Sequence, residues 1–206
     1  MNLIILASFL ILMILVQIAI RRNTKIEEKE KSAFWEKEAK ANATRKKSLE
    51  GLDYITIPDE ILHMSPKNMT ADMQVCLDEL LKLSTQKIVN LTGISNTDLK
   101  LAYGTANITI LSEYDFHYTN LVTTLQTLAE NLVDAGEINL AIKVLEFAVD
   151  TGSDVSKTFF LLADLYQETG SPENVDLLIQ QAEEIHSLMR DSILRTLKQN
   201  KRASGQ

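Results

Sequence analysis

The sequence is poor in the residues from which disulfide frameworks and metal sites are built. It contains one cysteine, Cys76, and three histidines, His63, His117 and His186. A lone cysteine cannot form a disulfide within the chain, and this agrees with a reducing compartment. The histidines are far apart in the sequence, and none forms an i, i+4 pair or neighbours the cysteine, as metal ligands often do. We therefore expect no metal and no cofactor.

Motifs that carry catalysis are missing as well. The sequence contains no G-x-S-x-G, P-loop, G-x-G-x-x-G or H-E-x-x-H pattern. Cys76 falls on an apolar helical stripe, which favours a small buried hydrophobe over a nucleophile. We expect that the protein is not an enzyme, and an enzyme with an unrecognised site remains an alternative.

Positive charge is scarce beyond the first quarter of the chain. Residues 21–50 hold 10 Lys and Arg against 6 Asp and Glu, whereas residues 51–206 hold 11 against 22, a net charge of −11. Nucleic acid binding needs a basic surface, so the acidic composition predicts no nucleic-acid partner. A basic segment followed by an acidic body suits an anionic membrane surface, which attracts the first and holds off the second.

One long apolar run is present, at the start of the sequence. Residues 3–20 are 18 consecutive positions of which two are polar, and as a helix they would span about 27 Å, close to the ~30 Å of a bilayer core. A cleavable signal peptide is the alternative, but no Lys or Arg precedes the run, no A-x-A site follows it, and Arg21 and Arg22 adjoin it. We predict an uncleaved transmembrane anchor over residues 1–22.

The charges beside this run predict an orientation. Arg21, Arg22 and Lys25 come directly after it, and Lys and Arg favour the cytoplasmic side of a membrane. We expect a single-pass protein of the cell membrane, with the N-terminus outside and the C-terminal body in the cytoplasm. An extracytoplasmic body, anchored the other way round, is the alternative.

Residues 23–50 predict a charged juxtamembrane stalk. The segment has no Gly or Pro, and pairs such as Glu27 and Lys31 stand at helical spacing in the favourable order. The stalk helix could be separate from the membrane helix or continuous with it. Trp35 would lie about 22 Å beyond the apolar run on a straight helix, so we expect Phe34 and Trp35 to pack on the body or on a partner.

Residues 51–120 predict a helical cap region between the stalk and the C-terminal part of the chain. Residues 54–58 form an apolar, strand-like run that Pro58 ends. Apolar spacing predicts a helix over 71–90, with Gly93 as its C-terminal cap. Ser95-Asn96-Thr97-Asp98 has the pattern of a capping box, and a further helix is expected to follow it.

Eight apolar or small positions near the C-terminus recur at a fixed offset, without a gap. The first set comprises Leu125, Leu128, Ala129, Leu132, Gly136, Ala141, Leu145 and Ala148, and the second comprises Phe159, Leu162, Ala163, Tyr166, Gly170, Val175, Ile179 and Ala182. Their i, i+3, i+4, i+7 spacing predicts helices, and the glycines predict tight turns between them. A fixed period of this length, about 34 residues, is typical of a solenoid, which stacks its repeats.

These residues resemble the tetratricopeptide repeat over about residues 122–189. The features that carry the resemblance are the large–small pairs Leu128-Ala129 and Leu162-Ala163, the aromatic Tyr166, and the closing alanines Ala148 and Ala182. The resemblance implies an all-α fold in which the anchor and stalk helices are followed, over 121–206, by antiparallel helix pairs in a short α-solenoid. Residues 187–198 would form its C-terminal capping helix. Four aromatic residues would pack beneath the first repeat: Tyr103, Tyr114, Phe116 and Tyr118.

The resemblance also implies a place for a partner. In this family the first helix of each repeat lines a groove, and the matching positions here are Gln126, Glu130, Asp134, Lys157, Phe160, Asp164 and Glu168. Their acidic side chains would repel a carboxylate and favour a basic or amphipathic protein segment. That two repeats are too short for a groove, so that these residues are only solvated, remains open.

Taken together, the sequence predicts a membrane-tethered adaptor or scaffold that binds a protein partner on the cytoplasmic side. An extracytoplasmic, envelope-associated protein of the same kind is the alternative. The layout, with the segment NTDLKLAYG at residues 96–104, also resembles small uncharacterised single-pass proteins of anaerobic Gram-positive bacteria. That second resemblance implies no activity.

Overall fold

The fold is known from a computed structural model, which describes residues 3–204. Helix is the only regular structure in this range, as predicted. In chain order the helices are α1 (Leu3–Asn42), α2 (Asp59–Leu62), α3 (Ala71–Leu83), α4 (Asn96–Tyr103), α5 (Ile108–Asp134), α6 (Ile138–Asp150), α7 (Ser156–Glu168), α8 (Asn174–Glu183) and α9 (Arg190–Ser204). A single 3₁₀ turn, Thr105–Asn107, joins α4 to α5.

The chain forms two compact units. The anchor unit comprises Met1–Ser48 and Ser95–Ile108, and the core unit comprises Leu49–Ile94 and Thr109–Gln206. Residues 51–120, expected as one helical cap region, therefore contribute to both units. The boundaries predicted for the anchor, the stalk and the repeats stay predictions.

The anchor unit is built on α1, which is a single helix through the apolar run and most of the charged segment. Its large apolar side chains from Phe9 to Ile20 are exposed, and among the described residues it is the one helix long and apolar enough to cross a membrane. Phe34 and Trp35 contact each other edge to face, but both are exposed. No described residue covers them, and packing on the body or on a partner stays a prediction.

The helix α1 ends at Asn42 and does not continue to residue 50. Beyond it, Lys47 N donates to the Tyr103 carbonyl at 3.0 Å, and the buried Asn107 Nδ2 donates to the carbonyls of Lys47 at 2.8 Å and Tyr103 at 2.7 Å. These bonds hold residues 43–48 in a non-helical course, because their backbone groups are used between segments.

The second element of the anchor unit, α4, lies along the end of α1. The Ser95 hydroxyl accepts a hydrogen bond from Asp98 N, as the capping-box pattern predicts. Lys37 pairs with Asp98 at 2.7 Å, and Lys100 pairs with Glu38. The hydrogen bond from Lys100 lowers the pKa of the Glu38 carboxyl, so this contact favours the ionised pair.

The helix that follows the capping box, α4, is short. It ends at Tyr103 because Gly104 has a φ of 88°. A Cβ on Gly104 would lie 2.2 Å from the Arg45 carbonyl oxygen. Only glycine fits so close to the Arg45 carbonyl, and the backbone conformation of Gly104 separates α4 from α5.

In the core unit, α3 ends at Leu83, so the prediction of a helix to residue 90 is wrong. Ile88 and Val89 are buried in an extended segment, where Ile55 N donates to the Ile88 carbonyl at 3.0 Å. The run at residues 54–58 is thus extended but pairs with no strand in the described chain. Both runs bury β-branched side chains that suit an extended course.

The predicted repeat offset recurs in the turns of the core unit. Gly136 and Gly170 have φ values of 77° and 75°. Each turn is closed by the same hydrogen bond, from Glu137 N to the Leu132 carbonyl and from Ser171 N to the Tyr166 carbonyl, both at 2.8 Å. This is the Schellman pattern, which a left-handed glycine permits. Fifteen of the 16 repeat positions are buried or are turn glycines, and Ile179 is half-buried.

The last helix, α9, keeps this register and packs on α7 and α8. Its start at Arg190 follows the start of α7 at Ser156 by the same offset, and its Ile193 and Leu197 are fully buried. The helix begins at Arg190 and not at residue 187 as predicted, and Leu188, which precedes it, is 100% exposed. The solenoid arrangement as a whole stays a prediction.

The four aromatic residues expected beneath the first repeat do not form one cluster. Tyr103 belongs to the anchor unit and the other three to the core unit. Tyr118 is buried, whereas Phe116 is 62% exposed, because it lies on the solvent side of α5. Tyr114 instead contacts Tyr54 edge to face, with ring centroids 5.9 Å apart.

Candidate functional site

The seven predicted groove residues lie on α5 and α7, as the repeat spacing requires. Gln126 is only 8% exposed. It accepts a hydrogen bond from the Thr158 hydroxyl at 2.8 Å, and its Nε2 donates to Glu130 at 2.7 Å. Gln126 is therefore part of the contact between α5 and α7, and its polar atoms are already used.

The other predicted positions are more accessible. Lys157 Nζ lies 3.7 Å from Glu130, a distance typical of a weak surface pair. Phe160 is half-buried against the core. The three remaining carboxylates are exposed: Asp134, Asp164 and Glu168. The two helices thus present a mainly acidic face, with Lys157 as its one base among the seven predicted positions.

A concave feature of the core unit lies away from these positions. A cavity of about 700 Å³ opens between the ends of α6 and α8 and two loops. Its lining residues are Asp53, Asn90, Thr92, Gly93, Ile94, Val149, Asp150, Thr151, Gly152, Phe159, Gln181, Glu184, Ile185 and His186. This volume is in the range of small-molecule sites.

Asn90 organises one wall of the cavity. Its Nδ2 lies 3.0 Å from the carbonyl oxygens of Thr151 and Gly152 and from the Tyr118 hydroxyl, and its Oδ1 accepts from Thr92 N at 2.9 Å. The amide thus ties the loop after α3 to the C-terminal end of α6. Burial raises the pKa of Tyr118 to about 12, so its hydroxyl stays protonated and donates toward the Thr151 carbonyl at 3.4 Å.

Two glycines shape the same region. Gly93 has a φ of +81°, and a Cβ there would lie 2.0 Å from the His186 carbonyl oxygen. Gly152 has a φ of +75°, and a Cβ there would lie 3.0 Å from Asn90 Nδ2. Close approach of backbone to backbone at Gly93 brings His186 and the end of α8 to the cavity.

The electrostatic character of the cavity is negative. Asp53, Asp150 and Glu184 line it, and its described lining contains His186 but no Lys or Arg. Asp150 accepts a hydrogen bond from Gln181 Nε2 at 2.9 Å. The C-terminal ends of α6 and α8 add the negative ends of two helix dipoles. The site is therefore suited to positive charge.

A metal ion would need donors that converge. No three His, Cys, Asp or Glu side chains of the described residues are placed to hold one. The carboxylates of the cavity are instead spread around its wall, an arrangement that suits a larger cation.

Sequence reasoning missed this cavity. Its lining comes from five separate stretches of the chain, and none of them has a recognisable motif. The one local signal is the pair of glycines, Gly93 and Gly152, but a glycine after a helix is read first as a cap.

Comparisons of the chain with protein-family models, with curated proteins and with solved structures find no match. The resemblance to the tetratricopeptide repeat thus depends on the residues and geometry given above, and so does any function.

Proposed function

We propose that the protein is a membrane-tethered adaptor whose helical body binds a protein partner on the cytoplasmic side. The observation that carries the proposal is the apolar half of α1. Its large side chains from Phe9 to Ile20 are exposed, and lipid is the surrounding that would cover an apolar helix on all sides. Arg21 and Arg22 directly after it favour a cytoplasmic body.

The binding role is supported by the helical body. Turns and helix starts that recur at one fixed offset are typical of repeat proteins, which present extended surfaces to partners. The exposed carboxylates of α5 and α7 suit a basic or amphipathic protein segment. We propose a tetratricopeptide-like scaffold on these grounds, without a catalytic role.

Reporter fusions at the C-terminus test the orientation. Alkaline phosphatase matures only outside the cytoplasm, and β-galactosidase works only inside, so we expect high β-galactosidase and low phosphatase activity. A matched control replaces Arg21, Arg22 and Lys25 with Gln, which should weaken the bias toward the cytoplasm. High phosphatase activity of the unaltered chain would contradict the proposed orientation and favour an envelope-associated protein.

Charge reversal tests the binding face. A photo-crosslinking residue at Thr127, an exposed position on α5, should capture the partner from membranes. Reversing Glu130 and Asp164 to Lys should weaken this capture, while the matched reversal of Asp72 on α3 should not. The exposed Asp164 contributes little to stability, whereas Glu130 accepts a hydrogen bond from the buried Gln126, so thermal melts should show a folded variant with a small loss of stability. Equal capture by all variants, or a contact segment that is acidic, would contradict the proposed face.

A further inference from the structure

We propose that the cavity of the core unit binds an organic cation, an ammonium or guanidinium group carried on an apolar stem. The cavity, defined by the lining residues given above, is separate from the face of α5 and α7. The inference goes beyond the adaptor role and does not depend on it.

The charge of the wall points to a cation. Three carboxylates reach the cavity from different elements: Asp53 from the loop before α2, Asp150 from the end of α6, and Glu184 directly after α8. Two helix C-termini meet at the same place and contribute further negative potential. All three residues are exposed, so a cation from solvent can reach them, and the concave shape concentrates their field.

No Lys or Arg of the described residues pairs with the accessible carboxylates, and the basic side chain in the lining is that of His186. Asp53 and Glu184 form no ion pair in the described chain, and Asp150 is bonded only to the neutral Gln181. An ammonium group has three donors and a guanidinium group five, and both form their strongest hydrogen bonds with carboxylates. A bound cation would supply the partner that the wall lacks.

The floor of the cavity is apolar, and this selects an organic cation. Ile94, which is 48% exposed, gives the lining an accessible apolar side chain, and Phe159, Val149 and Ile185 add apolar atoms that are almost fully buried. A methylene stem can pack on these side chains while its charged end reaches the carboxylates, as lysine and arginine side chains do at protein surfaces. A volume of about 700 Å³ is much larger than a bare ion needs.

Calorimetric titration of the full chain in an uncharged detergent tests the proposal. The probes are spermidine, as a free polyamine, and the blocked peptide acetyl-AKAKA-amide, as a source of lysine side chains. Magnesium chloride at the same ionic strength measures the charge effect alone. We expect saturable binding of at least one organic probe, with one site per chain, beyond any heat from magnesium. Binding of spermidine alone would identify a small-molecule site, and binding of the peptide would identify a site for a basic protein segment.

Neutral variants locate the binding. Asp150→Asn together with Glu184→Gln removes two charge-assisted partners and should weaken binding by about tenfold or more. The matched control, Glu173→Gln, removes an exposed carboxylate at the other end of α8 and should change affinity by less than about twofold. Thermal melts establish that each variant is folded.

A second variant tests the same site by filling it. Gln181→Lys places an ammonium group beside Asp150 and should abolish binding of both probes without loss of stability. Absence of saturable binding by either organic probe would overturn the proposal. Binding that is equal in the chain as it stands, in the double variant and in Gln181→Lys would overturn it as well. Neither result depends on the orientation in the membrane, so this test and the test of the adaptor role can fail separately.

Discussion

At the scale of single residues, two kinds of glycine have different roles in the core unit. Gly93 and Gly170 share a left-handed backbone, with φ values of 81° and 75°. A Cβ on Gly170 would meet nothing within 4 Å, whereas one on Gly93 would lie 2.0 Å from the His186 carbonyl oxygen. At position 170, glycine is required by the backbone conformation alone. At Gly93, the close approach of the His186 backbone requires it as well.

This difference predicts unequal effects of alanine. Gly170→Ala should cost about 1–2 kcal/mol, the usual penalty of a side chain in the left-handed region. Gly93→Ala should cost more, because backbone must also move away from the added methyl group. Thermal or chemical unfolding of both variants measures the two costs. Equal losses of stability would show that the loop at Gly93 adjusts freely.

The raised pKa of Tyr118 predicts that the stability of the fold depends on pH through this one hydroxyl. Burial raises its pKa to about 12, above the ordinary value of about 10. The stability that this shift represents is fully present below pH 10 and is lost as pH rises toward 12, because the unfolded state then ionises first. Unfolding followed by circular dichroism between pH 8 and 12 should show this loss.

The variant Tyr118→Phe isolates the contribution of this hydroxyl. It should be less stable than the original at pH 8, since Asn90 and the Thr151 carbonyl lose a partner. The difference between the two chains should then shrink as pH rises. Burial also raises the pKa of Tyr166, so some alkaline loss should remain in the variant. A difference that stays constant with pH would contradict the role assigned to Tyr118.

At the scale of elements, the small residues of the repeat set how closely α5 to α8 pack. Ala129 and Ala163 occupy matching positions and are both fully buried. Leucine at either position should overpack a helix contact and cost about 1–3 kcal/mol. Unfolding measurements check this, with Ala71→Leu at the exposed start of α3 as a matched control. If both buried variants melt like the control, the interpretation of these alanines as packing positions is wrong.

The ends of the elements show where sequence patterns stop being sufficient. The Gly136 and Gly170 turns follow from the local sequence, because a glycine in the left-handed region closes a helix by bonds to its own last turn. The end of α1 at Asn42 does not, since helix-forming residues continue after it. What ends α1 is a set of hydrogen bonds to Tyr103 and Asn107, which are distant in the sequence.

At the scale of the whole molecule, the described buried side chains all lie outside the predicted anchor. The first of them along the chain is Ala41 and the last is Leu197. Deletion of residues 1–22 should therefore remove no described core contact and release a soluble, folded body. Membrane fractionation and circular dichroism check this outcome. Recovery of the undeleted chain in the soluble fraction would contradict the anchor, and a truncated chain that is unfolded would show that the anchor supports the fold.

The two candidate sites also differ in how far the sequence alone locates them. The positions on α5 and α7 could be named from the sequence, because one helical period and one repeat offset place them together. Even so, the burial of Gln126 depends on Thr158 from the neighbouring helix. The cavity could not be named at all, because its walls come from segments as distant as Asp53 and His186.

The sequence by itself determined the features that depend on short-range periodicity: the all-helical class, the one apolar helix of membrane-spanning length, the cap at Ser95, and the turns that recur at the repeat offset. Their causes act within a few residues, through helical spacing and the conformations that glycine and capping side chains allow. The tertiary structure decided that α3 stops at Leu83, that residues 95–108 join the anchor unit, and that a negative cavity lies at the ends of α6 and α8. These depend on hydrogen bonds and burial between distant segments, for which no local pattern carries the information.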